Sequence, residues 1–217
     1  VLINESKDGR EEAEQIVKSI AELQRQGRRL REVAILYRTK HMSRPIEAAL
    51  RHATIPYNIK GSVGFYDRAV VRDALAYLRA VNNPADNLSL TRIANIPARG
   101  LGAQSLATLT SFAAQAELSL SAALATPAAV AFLPPKAAEG ARRMAALLAR
   151  WRRMAQGTTP PDHLLADLLE QSGYMAALEQ RFSAEDLPDA RAHLQELMAA
   201  AEEHTALSDF LQEIALL

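Results

Sequence analysis

A chain of 217 residues with 49% hydrophobic but only 5% aromatic residues is long enough to fill a folded core, and its alanine- and leucine-rich balance favours packed helices over sheets. The absence of cysteine excludes disulfides, thiolate metal sites and cysteine nucleophiles, and no apolar run approaches the roughly 20 residues of a membrane-spanning helix. The net charge of zero hides an asymmetry: residues through Ala155 hold 23 Lys and Arg against 13 Asp and Glu, and the remainder hold 2 against 12. A basic portion suited to a polyanion therefore precedes an acidic one that is not, although charges that merely solvate helix faces would produce the same counts.

In chain order, residues 1–3 read as a short buried strand. Residues 11–26 place Ala13, Ile16, Val17, Ile20 and Leu23 at helical spacing, with acids in the first turn and Gly27 as a stop. Residues 33–37 are a continuous apolar run, the pattern of a strand buried on both faces. Ser43 is placed to cap the next helix, with Pro45 in its first turn and Ile46, Ala49 and Leu50 on one face. Residues 55–59 return as a third strand, which predicts a β-α-β-α-β arrangement with a parallel sheet. After Gly64 the pattern is helical: 69–81, short helices at 88–95 and 103–116, a Pro/Ala-rich connection at 126–135, and a long helix over 136–154 with a basic outer face. A break at 157–161 precedes helices at 163–172, 174–181 and 189–204, and a last one from Leu207 onward. The expected fold class is mainly α with a small α/β portion at the N-terminus. Both ends read as boundaries within a longer protein, and nothing at Val1 to Asn4 has the basic region or cleavage site of a leader.

The chain has no G-x-x-x-x-G-K-[ST] loop to cradle phosphates and no acidic strand end beside one to hold magnesium. Its histidines, His41, His52, His163, His193 and His204, lack metal-ligand spacing. Three stretches carry chemistry instead. The turn Arg38, Thr39, Lys40 follows the strand-like run and combines two cations, a hydroxyl and backbone amides, a natural phosphate contact. Arg44 adds a cation or pairs with a carboxylate as a structural residue. In the second stretch, Gly61 and Gly64 permit a turn. Phe65 and Tyr66 offer stacking or packing surfaces, core packing being the better reading of Phe65, and Arg68 and Arg72 project from a helix start. In the third, Arg99, Gly100, Leu101 and Gly102 make a sharp turn before a helix whose amides, with Gln104 and Ser105 as side-chain donors, suit duplex phosphate; a plain helix-helix turn is the competing reading. The basic helix holding Arg142, Arg143, Arg150, Arg152 and Arg153 carries Trp151, read as a core anchor.

The order and spacing of Ala34-Ile-Leu-Tyr-Arg-Thr39, Ser43-Arg44, Ile55-Pro-Tyr57 and Phe65-Tyr-Asp-Arg68 resemble the segment of UvrD-like and Rep-like superfamily 1 DNA helicases that joins motor domain 2A to accessory domain 2B. The resemblance implies that residues 1–80 are part of 2A, and that 81–217 are a helical 2B containing a helix-hairpin-helix-like element. It implies an ATP-dependent 3′ to 5′ DNA helicase of repair or replication, in the cytoplasm with the nucleoid. On that reading ATP and magnesium belong to the full-length protein, the present residues hold neither and are inactive as an ATPase, and the partners are DNA, the rest of the motor and repair proteins, without a membrane. Single-stranded DNA contact falls to Arg38, Thr39, Lys40 and Arg44. The motif IVa-like residues are Gly61, Phe65, Tyr66, Arg68 and Arg72, and duplex contact falls to Arg99, Gly100, Leu101, Gly102, Gln104 and Ser105. Lys40 stands where asparagine is common in the family, Ser62 where glycine is usual, Val70 where a glutamate is usual, and Leu101 where isoleucine is usual. Two rival readings remain: a helical protein-interaction module with an acidic docking surface, and the motor part of a RecB- or AddA-type nuclease-helicase.

Overall fold

In the computed structural model, which describes residues 5–39, 42–59 and 64–216, Asp8 opens the first helix. Its carboxylate accepts the amides of Arg10 (2.9 Å) and Glu11 (2.8 Å), satisfying donors that the helix itself leaves orphaned. Helix α1 (Gly9–Arg25) buries Ala13 and Ile20, and α2 (Ser43–His52) buries Ile46 and Leu50. These four make one core cluster, lined by Ile16, Val17, Val33, Ile35, Tyr37, Ile55 and Tyr57. Ser43 is the first residue of α2 rather than its cap, and its side chain makes no capping bond.

The expected parallel sheet and its β-α-β-α-β order are not present: among the described residues there is no strand. Residues 1–3 lie outside the described residues. Residues 33–37 and 55–59 carry no regular structure. In the first of them Val33, Ile35 and Tyr37 turn toward the helices, while Leu36 is 94% exposed. The run is therefore one-sided, not buried on both faces. An apolar run shows which side chains avoid water; a strand also needs a neighbouring chain whose amides and carbonyls align with its own, and that partner is not encoded in the run.

The chain divides into two units, Val1–Arg68 with Glu213–Leu217, and Ala69–Gln212. The second is built around α3 (Ala69–Asn82), buried on nearly all sides through Val70, Val71, Asp73, Ala74, Leu75, Tyr77, Leu78 and Val81, as a central helix must be. Against it pack α4 (Asn87–Ile93), α8 (Pro135–Gln156), α9 (Pro161–Gln171) and α11 (Leu187–Glu202). The remaining helices are α5 (Ala103–Gln115), α6 (Leu120–Ala125), α7 (Pro127–Val130), α10 (Tyr174–Arg181) and α12 (Leu207–Leu216). Asp86 caps α4, its carboxylate accepting the amide (2.9 Å) and hydroxyl (2.6 Å) of Ser89. Prolines open α7, α8 and α9, where a missing N–H costs nothing.

Trp151 is fully buried, edge-on to Tyr77 with ring centroids 5.9 Å apart, and donates its indole N–H to Asp167 at 2.9 Å. It is the core anchor that the sequence indicates. No helix among the described residues is long and apolar enough to cross a membrane.

Candidate nucleic-acid interface

Arg38 and Thr39 are exposed after the run that ends at Tyr37; Lys40, Gly61 and Ser62 lie outside the described residues. Arg44, near the start of α2, lies over the Phe65 ring at 5.8 Å, and Phe65 is itself buried. Arg51 lies over Tyr57 and Tyr66 at 5.7 and 5.9 Å and donates through Nε to the Tyr57 hydroxyl at 2.7 Å. At the centre is Glu47, 2% exposed, accepting the Tyr57 hydroxyl (3.3 Å) and the Phe65 amide (3.4 Å). Burial pushes the Tyr66 phenol up, with the Arg44 and Arg51 cations opposing it. The Tyr57 phenol is raised mainly by burial as well. Arg44 thus packs on an aromatic ring while remaining half-buried. Glu47 escaped the sequence reading because an acid four residues before Arg51 looks like one half of an exposed helix pair. Val70 is buried, so the position that carries an acid in the resembled family is apolar core here. Arg72 is exposed on the first turn of α3, while Arg68 is half-buried.

In the second unit, residues 94–102 join α4 to α5. Asn95 organises the turn, its side-chain oxygen accepting the amides of Arg99 (2.7 Å) and Leu101 (3.1 Å). Gly100 has φ +78°, and a Cβ there would meet the Lys136 backbone at 3.2 Å. Leu101 is completely buried. Gly102 is exposed at the start of α5 and no side chain caps that helix, so the first amides of a 13-residue helix lack a side-chain acceptor at the positive end of its dipole. Gln104 is exposed beside them and Ser105 is buried.

Arg99 does not point away from the protein. Its Nη1 donates to the carbonyls of Ile93 (3.1 Å), Ala94 (3.4 Å) and Pro97 (3.2 Å), and its Nη2 to the Tyr77 hydroxyl (2.7 Å) and the Ser172 carbonyl (3.1 Å). The Tyr77 hydroxyl in turn donates to the Ile96 carbonyl. Burial pushes the Tyr77 phenol up, and the Arg99 charge opposes the shift.

A second polar cluster surrounds Asp73 on α3. Arg92 donates to its Oδ1 through Nε and Nη2, both at 2.8 Å. Tyr174 (2.8 Å) and Arg181 (3.0 Å) donate to its Oδ2. The carboxylate side chain is 1% exposed, and the two arginines are 32% and 33% exposed. Burial and then the Asp73 charge push the Tyr174 phenol well up. On α8, Arg150 pairs with Asp167 and Arg152 donates to the Ala80 carbonyl and the Ser121 hydroxyl, leaving Arg142, Arg143 and Arg153 among its exposed residues. The sequence reading missed Tyr77, Asn95 and Asp73. Of these only Asn95 had a readable signal, an amide side chain shortly before a glycine turn.

The family model described as UvrD-like helicase C-terminal domain matches residues 1–130. Among curated proteins, the ATP-dependent DNA helicase PcrA of Staphylococcus epidermidis is 44% identical over 116 residues, 54% of this chain and 16% of that protein. The PcrA of Bacillus subtilis is 54% identical over 87 residues, 40% of this chain and 12% of that protein. The PcrA of Staphylococcus aureus is 40% identical over 115 residues, 53% of this chain and 16% of that protein. The matched part of the chain spans about one-sixth or less of the length of these relatives.

Proposed function

The chain belongs to the UvrD-like helicase family, and from that premise we propose that it is the DNA-gripping part of an ATP-dependent 3′ to 5′ DNA helicase of repair or replication. Residues 1–80 contribute to motor domain 2A and residues 81–217 form accessory domain 2B. The relatives named ATP-dependent DNA helicase support the activity of the longer protein, which works at the nucleoid with the rest of the motor and with repair proteins. ATP and magnesium are held elsewhere in that protein. This chain has no G-x-x-x-x-G-K-[ST] phosphate loop of its own.

Two regions divide the DNA. Arg38, Thr39 and Lys40 contact the single strand, with Arg44 and the motif IVa-like residues Gly61, Phe65, Tyr66, Arg68 and Arg72 shaping and supporting that grip. The hairpin Arg99, Gly100, Leu101, Gly102 presents the start of α5 and the exposed Gln104 to duplex phosphate, with the buried Ser105 behind them. The observation that carries this reading is the exposed, uncapped N-terminus of α5 behind a glycine turn, a backbone anion site that reads no sequence.

Binding of a 3′-tailed duplex to the 217-residue chain, followed by fluorescence anisotropy across a salt series, tests it. Affinity should fall steeply with salt as phosphate contacts release counterions. Gln104→Glu should lower duplex affinity on the order of tenfold without lowering the melting temperature, because an acid near a helix start favours the helix and repels phosphate. Undetectable binding at low salt, or indifference to Gln104→Glu, would overturn the assignment in favour of a protein-interaction module.

A further inference from the structure

The sequence offers Arg99 as a cation for duplex phosphate, and the geometry points to another use: Arg99 is a positioning residue that sets the hairpin from inside. Duplex binding then depends on its shape rather than on its charge. Its two terminal nitrogens meet five acceptors, four of them backbone carbonyls of residues 93, 94, 97 and 172 and the fifth the Tyr77 hydroxyl. Three of the carbonyls flank the turn, so the guanidinium gathers the backbone that leads into Gly100. Tyr77 completes the latch by accepting from Arg99 and donating to the Ile96 carbonyl. Only a planar fork meets acceptors in this arrangement; a lysine ammonium carries the same charge on three donors at one point.

The opposite side of the turn is held by α8. A Cβ on Gly140 would lie 2.1 Å from the Arg99 carbonyl oxygen, a distance no side chain tolerates, so the hairpin backbone rests directly on the glycine. Arg99 therefore sits between a side-chain latch on α3 and a backbone contact on α8. With its nitrogens committed to carbonyls, the anion-facing groups are the α5 amides that its position aims. This inference rests on the hairpin being the duplex contact.

The test compares Arg99→Lys, Tyr77→Phe and Gly140→Ala in the full 217-residue chain, each first shown to melt cooperatively well above the assay temperature. Arg99→Lys keeps the charge, and Tyr77→Phe and Gly140→Ala change none. All three should weaken binding to a 3′-tailed duplex, Arg99→Lys on the order of tenfold, with an unchanged slope of log affinity against log salt. Hydrogen exchange at the Arg99 and Leu101 amides, now bonded to Asn95, should accelerate in each. A direct phosphate contact would leave Arg99→Lys close to the parent and lower the salt slope by about one in Arg99→Ala, overturning the inference. Unchanged exchange at both amides in Tyr77→Phe and Arg99→Lys would overturn it as well. If the parent chain binds the tailed duplex no better than the single strand, the duplex reading fails, and amide exchange still decides whether the latch exists.

Discussion

The two units use arginine with different emphasis, although Arg181 of the second also lies over a ring, that of Tyr174 at 5.5 Å. In the first, Arg44 and Arg51 lie across the faces of Phe65, Tyr57 and Tyr66, and the core cluster has four buried apolar residues. In the second, Arg92 and Arg181 converge on one buried carboxylate and Arg99 on backbone carbonyls, around a helix that water hardly reaches. The comparison teaches that a count of charges does not say which cations hold the fold and which face water. Among the described residues up to Ala155, Arg44, Arg51, Arg68, Arg92, Arg99 and Arg152 are half-buried, while most of the other cations, Arg38 and Arg72 among them, are exposed and available to a polyanion from the surface. It also teaches where stability is concentrated, because buried apolar contact sets what a cavity costs.

Substitutions in the two units should separate accordingly. Leu78→Ala, in the fully enclosed α3, should cost about 4 kcal/mol in urea unfolding, near the top of the range for a buried leucine; a cost below that of the first-unit variants would break the comparison. Asp73→Ala strips the carboxylate from two arginines and a tyrosine. It should cost about 3 kcal/mol, the low end for a broken buried pair because the guanidiniums still reach water. A loss under half that would mean that the Asp73 cluster contributes little to holding α3, α4 and α10 together. Ile20→Ala, in the thinner core of the first unit, should cost about 2 kcal/mol.

The smallest effect belongs to a surface cap. Asp86→Ala should remove about 1 kcal/mol by exposing the start of α4. Burial works most strongly against the charged form of Asp86, yet the hydroxyl and amide of Ser89, with the Arg79 charge and the Leu88 amide, together hold the carboxyl below its ordinary value of 3.8. A folded-state value below the unfolded one contributes stability above the unfolded value and loses it as pH falls through the folded one. The difference between parent and Asp86→Ala should therefore be full at neutral pH and shrink below pH 3.8. A difference that stays constant into acid would remove the carboxylate from the account.

Much of the helical pattern was legible because a period of 3.6 is written in the apolar residues. The α1 face of Ala13, Ile16, Val17 and Ile20 and the long helix around Trp151 follow from spacing alone. The sheet was misread because 33–37 and 55–59 share the composition of strands, and composition does not say whether a ladder partner is aligned. The hairpin announced itself through Gly100 and Gly102, and of the two it is Gly100 whose turn, at φ +78°, needs a glycine. Its latch did not, because the contacts between Arg99 and Ser172 or Tyr77 join residues 73 and 22 positions apart. Asp73 was hidden for the same reason: within α3 it is one acid among exposed arginines, and its partners come from α4 and α10.

The central claim is that single strand and duplex are gripped by different parts of the chain. Hydrogen exchange of the 217-residue chain with single-stranded DNA and with a 3′-tailed duplex of equal length tests it most directly. The account predicts that single strand slows the amides at Arg38 to Lys40 and leaves residues 102–105 unchanged, whereas the tailed duplex slows both. Protection confined to the acidic helices α11 and α12, or hairpin amides that respond equally to both DNAs, would contradict it.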